Sequence, residues 1–327
     1  MSYHSSPRTA LITGITGQDG AYLTRLLLEK KYKVVGVVRS VPKANTSKLK
    51  YLGVDSKVDL VECDLQHFSQ VSNILERFQP VEIYNLAAQS SVGSSFFFPI
   101  ETIQFNINSV VNILEAMRKV ESKSRFYQAS TSEMFGKIEE LPITEESKFH
   151  PLSPYAISKV AAHHITINYR ESYDLFACCG ILFNHESYLR GENFFMKKVI
   201  RTAIAIKHGE QDKIELGNLN IKRDFGFSEK YVEAMWLMLQ QEKPEDYIIA
   251  SGKSILLKDV VDYVFDRLGI DKKKICVNPD LFRPTDIEDI YGSSEKARRK
   301  LNWHYDMDFF AVIDRIIEEE ERNYERK

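Results

Sequence analysis

An α/β architecture, a Rossmann-type doubly wound parallel sheet followed by a smaller mixed α/β portion, is predicted by three features of the chain. Apolar, strand-like runs alternate with amphipathic, helix-like runs through residue 183. A glycine-rich turn joins the first strand to the first helix. From residue 184 the alternation loosens into helices separated by short strands.

The elements follow in order. Thr9–Thr13 is the first apolar strand, the glycines come next, and Ala21–Lys31 is amphipathic. Lys33–Val38 and Val58–Glu62 read as the second and third strands, with a helix over Ser69–Phe78. Val81–Leu86 is the fourth strand, ahead of a long helix over roughly Ile100–Val120. Arg125–Ala129, a helix over Pro154–Tyr173 and a strand over Phe176–Phe183 complete the series. Strands that are apolar throughout are buried on both faces. The right-handed crossover then makes the sheet doubly wound. Gly191–Gly209 and Ile255–Leu268 look helical, and Asp308–Lys327 is a charged amphipathic helix. No repeat or low-complexity linker intervenes, so both portions are expected to share one continuous interface.

Composition narrows the function classes. The 327 residues suffice for one large or two medium domains, and 43% hydrophobic with 28% charged residues describes an ordinary soluble globular protein. A net charge of -2 without a basic block argues against nucleic acid as a partner. No apolar run approaches the roughly 18 residues of a membrane helix. Thr9–Thr13 runs straight into glycines, so no signal peptide is expected. Cys63, Cys178, Cys179 and Cys276 have neither zinc-ligand spacing nor a CxxC pair. They read as reduced thiols in a cytoplasmic protein without a metal site.

The turn TALITGITGQDG places Gly14, Gly17 and Gly20 between strand and helix, with Gln18 and Asp19 inside it. A side chain there would keep the backbone away from a pyrophosphate, and the helix N-terminus offers free N–H groups and positive dipole. The motif therefore predicts dinucleotide binding. Arg39 follows the second strand, where an acidic residue would favour NAD. A cation there favours the 2′-phosphate of NADP. Asp64-Leu65, past the third strand, stand where such folds hold adenine. Leu86-Ala87-Ala88-Gln89-Ser90, past the fourth, are expected along the cofactor. Residues 1–183, joined by about 222–250, are expected to form the NADP-binding portion, with 184–221 and 251–327 binding the substrate.

Tyr155 and Lys159 share one helix face at i, i+4 spacing. An ammonium near a phenol lowers its pKa, so Tyr155 is expected to take a proton from a sugar hydroxyl. The fifth strand ends in Ser130-Thr131-Ser132-Glu133, at the sheet edge where ligands bind. A simple dehydrogenase needs no carboxyl there. Glu133 signals additional proton chemistry of the kind that elimination of water requires.

Together these residues resemble the GDP-mannose 4,6-dehydratase family of extended short-chain dehydrogenases/reductases. The stretches ITGITGQDGAYL, YNLAAQSSV, YQASTSEMFG, SPYAISK, INYRESY, GILFNHES, YVEAMWLML and FRPTDIE carry the resemblance over nearly the whole chain. It implies that Thr131 binds the hydroxyl at carbon 4 and works with Tyr155, the base for oxidation there. It implies that Glu133 is the base at carbon 5 and the acid at carbon 6, and that Lys159 holds the nicotinamide ribose. His185 and Arg190 match cofactor contacts. Asn184, Lys198, Arg223, Arg283 and Glu288 match positions associated with the GDP-sugar, with Ser90 and Ser132 beside it. Met134-Phe135 replaces the usual Leu-Tyr, Tyr188 a proline, and Phe225 a tryptophan. Arg39-Ser40-Val41-Pro42 replaces an arginine-plus-serine run that in the family reaches a neighbouring subunit. Asn45-Thr46 partly retains it, so a homodimer or a homotetramer is implied.

The expected reaction converts GDP-mannose to its 4-keto-6-deoxy derivative with NADP restored at the end. The changes at Tyr188 and Phe225 admit a related GDP-heptose. A keto-sugar reductase or a sugar-nucleotide epimerase would keep Tyr155 and Lys159 but would not need Glu133. An NADP-sensing binding protein would not need the tyrosine–lysine pair.

Overall fold

The expected strands assemble into one parallel sheet, in a computed structural model that describes residues 8–325. β1 (Thr9–Thr13) leads through the glycine turn into α1 (Gln18–Glu29). Next come β2 (Lys33–Val38), α2 (Ser47–Tyr51), β3 (Val58–Glu62) and α3 (Phe68–Phe78). β4 (Glu82–Asn85), α4 (Val92–Phe97), α5 (Pro99–Lys119), β5 (Arg125–Thr131), α6 (Pro154–Tyr173) and β6 (Ala177–Leu182) form the second wing. The chain continues through β7 (Asn184–Glu186), α7 (Phe195–Lys207), β8 (Ile214–Leu216) and β9 (Lys222–Phe227). α8 (Ser228–Met238), β10 (Tyr247–Ile249), β11 (Ser254–Leu256) and α9 (Leu257–Leu268) follow. β12 (Ile275–Val277), α10 (Glu295–Leu301) and α11 (Phe309–Tyr324) end it.

The seven-stranded sheet runs β3-β2-β1-β4-β5-β6-β10. Every pairing in it is parallel. The order reverses between β1 and β4, which is where a doubly wound sheet opens a ligand crevice. Burial is deepest in the middle of the sheet: β4 and β6 are buried along their whole length, whereas edge strand β3 is not. One core, including Leu23, Leu27, Tyr84, Tyr127 and Met235, packs on one face. Another, including Val35, Ile83, Val110 and Phe126, packs on the other. The smaller portion pairs β7, β9 and β11 in a second sheet and β8 with β12 in a third, around a separate core of α7, α9 and α11.

Several elements differ from expectation. α1 begins at Gln18, three residues before the amphipathic run, because its polar first turn faces the cleft. β4 is shorter at both ends than the apolar run. α7 begins at Phe195, after a loop over 191–194, and Ile255 and Leu256 belong to β11. α11 ends at Tyr324, and residues 326 and 327 lie outside the described residues. The return to the large sheet starts at α8, because β9 pairs with β7 and β11 instead. The helical period of α8 is weak because Trp236 and Leu237 share its outer face with Glu229, Lys230 and Glu233, opposite the buried Tyr231, Val232, Ala234, Met235 and Met238. No helix among the described residues is long and apolar enough to cross a membrane.

α6 carries Tyr155 and Lys159 and is well bounded. Ser153 caps it by accepting from the Ala156 N–H, Pro154 opens it, and Asp174 ends it in the left-handed region. β4 starts with a buried carboxylate. Glu82 accepts from Tyr32 Oη at 2.8 Å, Tyr84 Oη at 2.7 Å, Gln240 Nε2 at 3.1 Å and Arg8 at 2.6 Å. It thereby ties β2, β4 and the segment after α8 below the sheet. Replacing Glu82 with leucine strands those donors, and we expect a loss of roughly 3–5 kcal/mol, read from the urea midpoint at unchanged m-value.

Candidate active site

A cleft of about 1070 Å³ opens over the carboxyl ends of β1, β4, β5 and β6. The smaller portion closes it with residues 184–195, 217–225 and 281–286. Its volume sits at the upper end for small-molecule sites.

The glycine turn forms one wall. Gly14 has φ +72, and a Cβ on it would lie 2.8 Å from the Ala87 backbone N. A Cβ on Gly20 would lie 2.4 Å from the Gly14 carbonyl oxygen. Both glycines are demanded by the turn's own packing. Gly17 differs: a Cβ there meets only the Gly14 oxygen, at 3.1 Å, yet Gly17 lines the cleft and caps α1 without a side-chain hydrogen bond. The unadorned backbone and the open N–H groups behind it fit a dinucleotide pyrophosphate.

Asp19, in that first turn, binds the turn to the smaller portion. Its Oδ2 meets His185 Nε2 at 2.9 Å and its Oδ1 accepts from Ser228 Oγ at 2.8 Å. Burial alone would raise its pKa. The His185 charge and the hydrogen bonds from His185 and Ser228 outweigh burial and hold the carboxyl well below its usual range. His185 Nδ1 faces the Phe183 carbonyl at 2.7 Å, so both ring nitrogens meet acceptors. Burial disfavours its charge, but Asp19 prevails and the pKa rises. Gln18 adds bonds to the His185 carbonyl and from Ser187 Oγ, at 3.1 and 2.7 Å.

Thr131, Glu133, Tyr155 and Lys159 all line the cleft. Thr131 ends β5 and its Oγ1 accepts from the Glu133 N–H at 3.3 Å, in a tight turn that brings Glu133 into the cleft that Tyr155 also lines. Lys159 Nζ donates to the Ala129 carbonyl at 2.7 Å and lies 5.9 Å from the Tyr155 ring centroid. Burial lowers its pKa to about 8. The expectation that Lys159 depresses the Tyr155 phenol is corrected here. Burial raises the Tyr155 pKa, the Thr131 hydroxyl pulls it down, and Glu133 pushes it up again. The ammonium points at a backbone carbonyl, so it does not offset the burial of the phenol.

The cleft also gathers Leu86, Ala88, Gln89, Ser90, Asn184, Arg190, Arg223 and Arg283. Arg223 donates to the Ile287 carbonyl at 2.6 Å and to Asp286 Oδ1 at 2.5 Å, and Arg283 approaches the same oxygen at 3.5 Å. Other expected residues are not brought there. Arg39 is exposed beyond β2. Asp64 receives the Gln66 N–H, and Leu65 packs in the core. The Ala87 N–H donates to Thr13 Oγ1. Ser132 is buried behind the turn, Lys198 is exposed and donates to the Glu215 carbonyl, and Glu288 is exposed. The departures from the family pattern are also placed. Phe225 lines the cleft and stacks on Phe309, with ring centroids 4.8 Å apart. Tyr188 packs on Tyr51 and under Lys197 Nζ. Met134 and Phe135 are buried.

Sequence reasoning missed Lys48, Glu186 and Asp286, which also line the cleft, and Ser228 and His163 behind it. None lies in a motif whose spacing announces chemistry. His163 Nδ1 meets Ser130 Oγ at 3.0 Å, directly before Thr131. The four cysteines are free thiols, and no His/Cys/Asp/Glu cluster among the described residues could hold a metal.

Fold and cleft define the chain as an extended short-chain dehydrogenase/reductase. A dTDP-glucose 4,6-dehydratase from Streptomyces venezuelae, solved with NAD and TYD bound, superposes with a TM-score of 0.87 at 20% identity, covering 97% of this chain and 98% of that one. A UDP-glucose 4-epimerase from Thermotoga maritima superposes at 0.86 with 21% identity, covering 97% and 99%. At the level of sequence, the GDP-mannose 4,6 dehydratase family model matches residues 11–316. The GDP-mannose 4,6 dehydratase 1 of Arabidopsis thaliana is 44% identical, covering 96% of this chain and 90% of that protein. The Drosophila melanogaster enzyme is 41% identical, covering 96% and 86%. The chain belongs to the GDP-mannose 4,6-dehydratase family.

Burial lowers the His163 pKa to about 4, with His164 and Arg170 pushing the same way and Asp246 opposing. A depressed histidine pKa means that the folded state resists protonation while the unfolded state accepts it. The stability this group contributes is complete above pH ~6.5 and is lost as the pH falls towards 4. Chemical denaturation of the wild type and of His163→Phe should therefore differ in pH slope, the wild type losing about 3 kcal/mol more between pH 7 and 4. Parallel slopes would contradict the buried neutral imidazole.

Proposed function

We propose that the protein converts GDP-mannose to GDP-4-keto-6-deoxymannose and water, as a GDP-mannose 4,6-dehydratase with NADP retained and recycled. The observation that carries this reading is the placement of Glu133 in the same cleft as Thr131, Tyr155 and Lys159. A carboxylate beside a tyrosine–lysine pair supports proton chemistry beyond a simple alcohol oxidation.

Bound NADP supplies a hydride acceptor for carbon 4 that later returns the hydride to carbon 6. Gly14, Gly17, Gln18 and Gly20 would hold its pyrophosphate, Ala88, Gln89 and Ser90 its length, and His185, Arg190 and Lys159 its nicotinamide half. Tyr155 accepts the proton of the carbon 4 hydroxyl while Thr131 hydrogen-bonds that oxygen. The new ketone acidifies carbon 5, and Glu133 removes the proton there. Protonated Glu133 gives its proton to the carbon 6 hydroxyl, which leaves as water. Tyr155 gives the proton it took from the carbon 4 hydroxyl to carbon 5 as carbon 6 regains the hydride, which restores a saturated sugar and leaves Tyr155 ready for the next turnover. Asn184, Arg223 and Arg283 are assigned to the GDP portion, where guanidinium groups suit a diphosphate. Lys198, Glu288 and Ser132 are left out because none lines the cleft. Cytoplasmic location and self-association belong to the same proposal. Phe97, Phe98 and Ile100, exposed together where α4 meets α5, support a second copy as partner.

The test supplies GDP-mannose without added NADPH and follows mass. Wild type should form a product lighter by one water. Glu133→Gln should bind NADP as wild type does but form product at least ~100-fold more slowly. Normal turnover by that variant would remove Glu133 from the reaction. Turnover of a GDP-heptose with GDP-mannose untouched would keep the chemistry and replace the substrate.

A further inference from the structure

An ammonium drawn out of water without a carboxylate beside it is costly, and such a group marks a place where an anion arrives. Lys48, half-buried, is in a milder form of this position. It projects from α2, on the connection between β2 and β3, and lines the cleft against the glycine turn. Its Nζ donates to the neutral Thr16 carbonyl at 3.2 Å, between Gly14 and Gly17. Burial lowers its pKa, and Lys197 and Arg190 lower it further, with Asp19 alone opposing. Arg190 lines the same cleft, and the uncapped N-terminus of α1 adds positive potential. Arg190 is met by Glu186 at 3.4 Å and Lys197 by Glu320, whereas Lys48 has no carboxylate partner among the described residues.

The connection after β2 is the segment that meets the adenosine ribose in a doubly wound fold. Arg39, its first residue, is exposed and points to no part of the cleft lining, whereas Lys48 folds back onto the turn. We propose that Lys48, not Arg39, reads the 2′-phosphate of the dinucleotide and sets the preference for NADP over NAD. The proposal rests on the dinucleotide-binding reading given above. A phosphate monoester there would replace a carbonyl dipole with a full countercharge for the lysine, and a charge-assisted contact of that kind discriminates against a bare ribose hydroxyl.

Calorimetric titration of NADP and of NAD into the full chain tests this, using wild type, Lys48→Met, Lys48→Arg and Arg39→Met. Lys48→Met should weaken NADP by roughly tenfold or more while NAD changes by less than about twofold. Lys48→Arg should keep the preference for NADP, and Arg39→Met should leave both affinities near wild type. Retained NAD affinity also reports that the Lys48→Met chain is folded. Equal loss of both dinucleotides in Lys48→Met, with Lys48→Arg restoring both, would assign Lys48 to the shared pyrophosphate and overturn the proposal. Loss of NADP preference in Arg39→Met alone would overturn it as well. A wild-type chain that binds neither dinucleotide would instead defeat the reading beneath it.

Discussion

A chain of buried side-chain hydrogen bonds across the sheet fixes the glycine turn relative to α6, and the rest of the cleft depends on it. Thr13 Oγ1 donates to Asn85 Oδ1 at 2.6 Å, and Asn85 Nδ2 donates to Gln128 Oε1 at 2.8 Å. Gln128 Nε2 then donates to the Ala129 carbonyl at 3.1 Å, the same oxygen that receives Lys159 Nζ. Thr13, Asn85 and Gln128 are almost wholly buried. A fully satisfied polar network in a low-dielectric interior admits few alternative arrangements. It holds the carboxyl ends of β1, β4 and β5 level, and those ends carry Gly14, Leu86 and Thr131. A slip between these strands would leave several buried amides without partners, at a cost of kilocalories for each.

A second set of contacts joins the turn to the smaller portion. Asp19 bridges to His185 and Ser228, and Gln18 to His185 and Ser187. The N-terminus of α1 is therefore shared property: its backbone lines the cleft while its side chains anchor β7 and the residues that follow it. The same contacts oppose burial at both groups, holding the Asp19 carboxyl low and raising the His185 imidazole. Two opposite charges at 2.9 Å, each with a further hydrogen bond, compensate their own desolvation.

Much of this was legible in the sequence, for physical reasons. Strands buried on both faces must be apolar throughout, so β1, β2, β5 and β6 stand out. The glycine turn announces itself because Gly14 and Gly20 leave no space for a Cβ. Tyr155 and Lys159 are local neighbours on one helix, and Glu133 ends a strand, so spacing alone places them. Short elements such as α2, α4 and β10 carry too few residues for a period. α8 blurs its period by setting Trp236 and Leu237 among the charged residues of its outer face. Properties set by distant contacts were also hidden. The raised Tyr155 pKa is a consequence of burial, and the Ser130–His163 pair spans β5 and α6. The choice between Arg39 and Lys48 depends on how the β2–β3 connection folds back, which no local pattern encodes.

The central claim is that one cleft removes a hydrogen from carbon 4 and returns the same hydrogen to carbon 6, with proton traffic confined to Tyr155 and Glu133. GDP-mannose bearing deuterium at carbon 4, turned over in ordinary water and examined by NMR, tests this most directly. The account predicts that the label reappears at carbon 6 of the 4-keto-6-deoxy product, while carbon 5 carries a hydrogen from solvent. Loss of the label to the medium, or its retention at carbon 4, would contradict it.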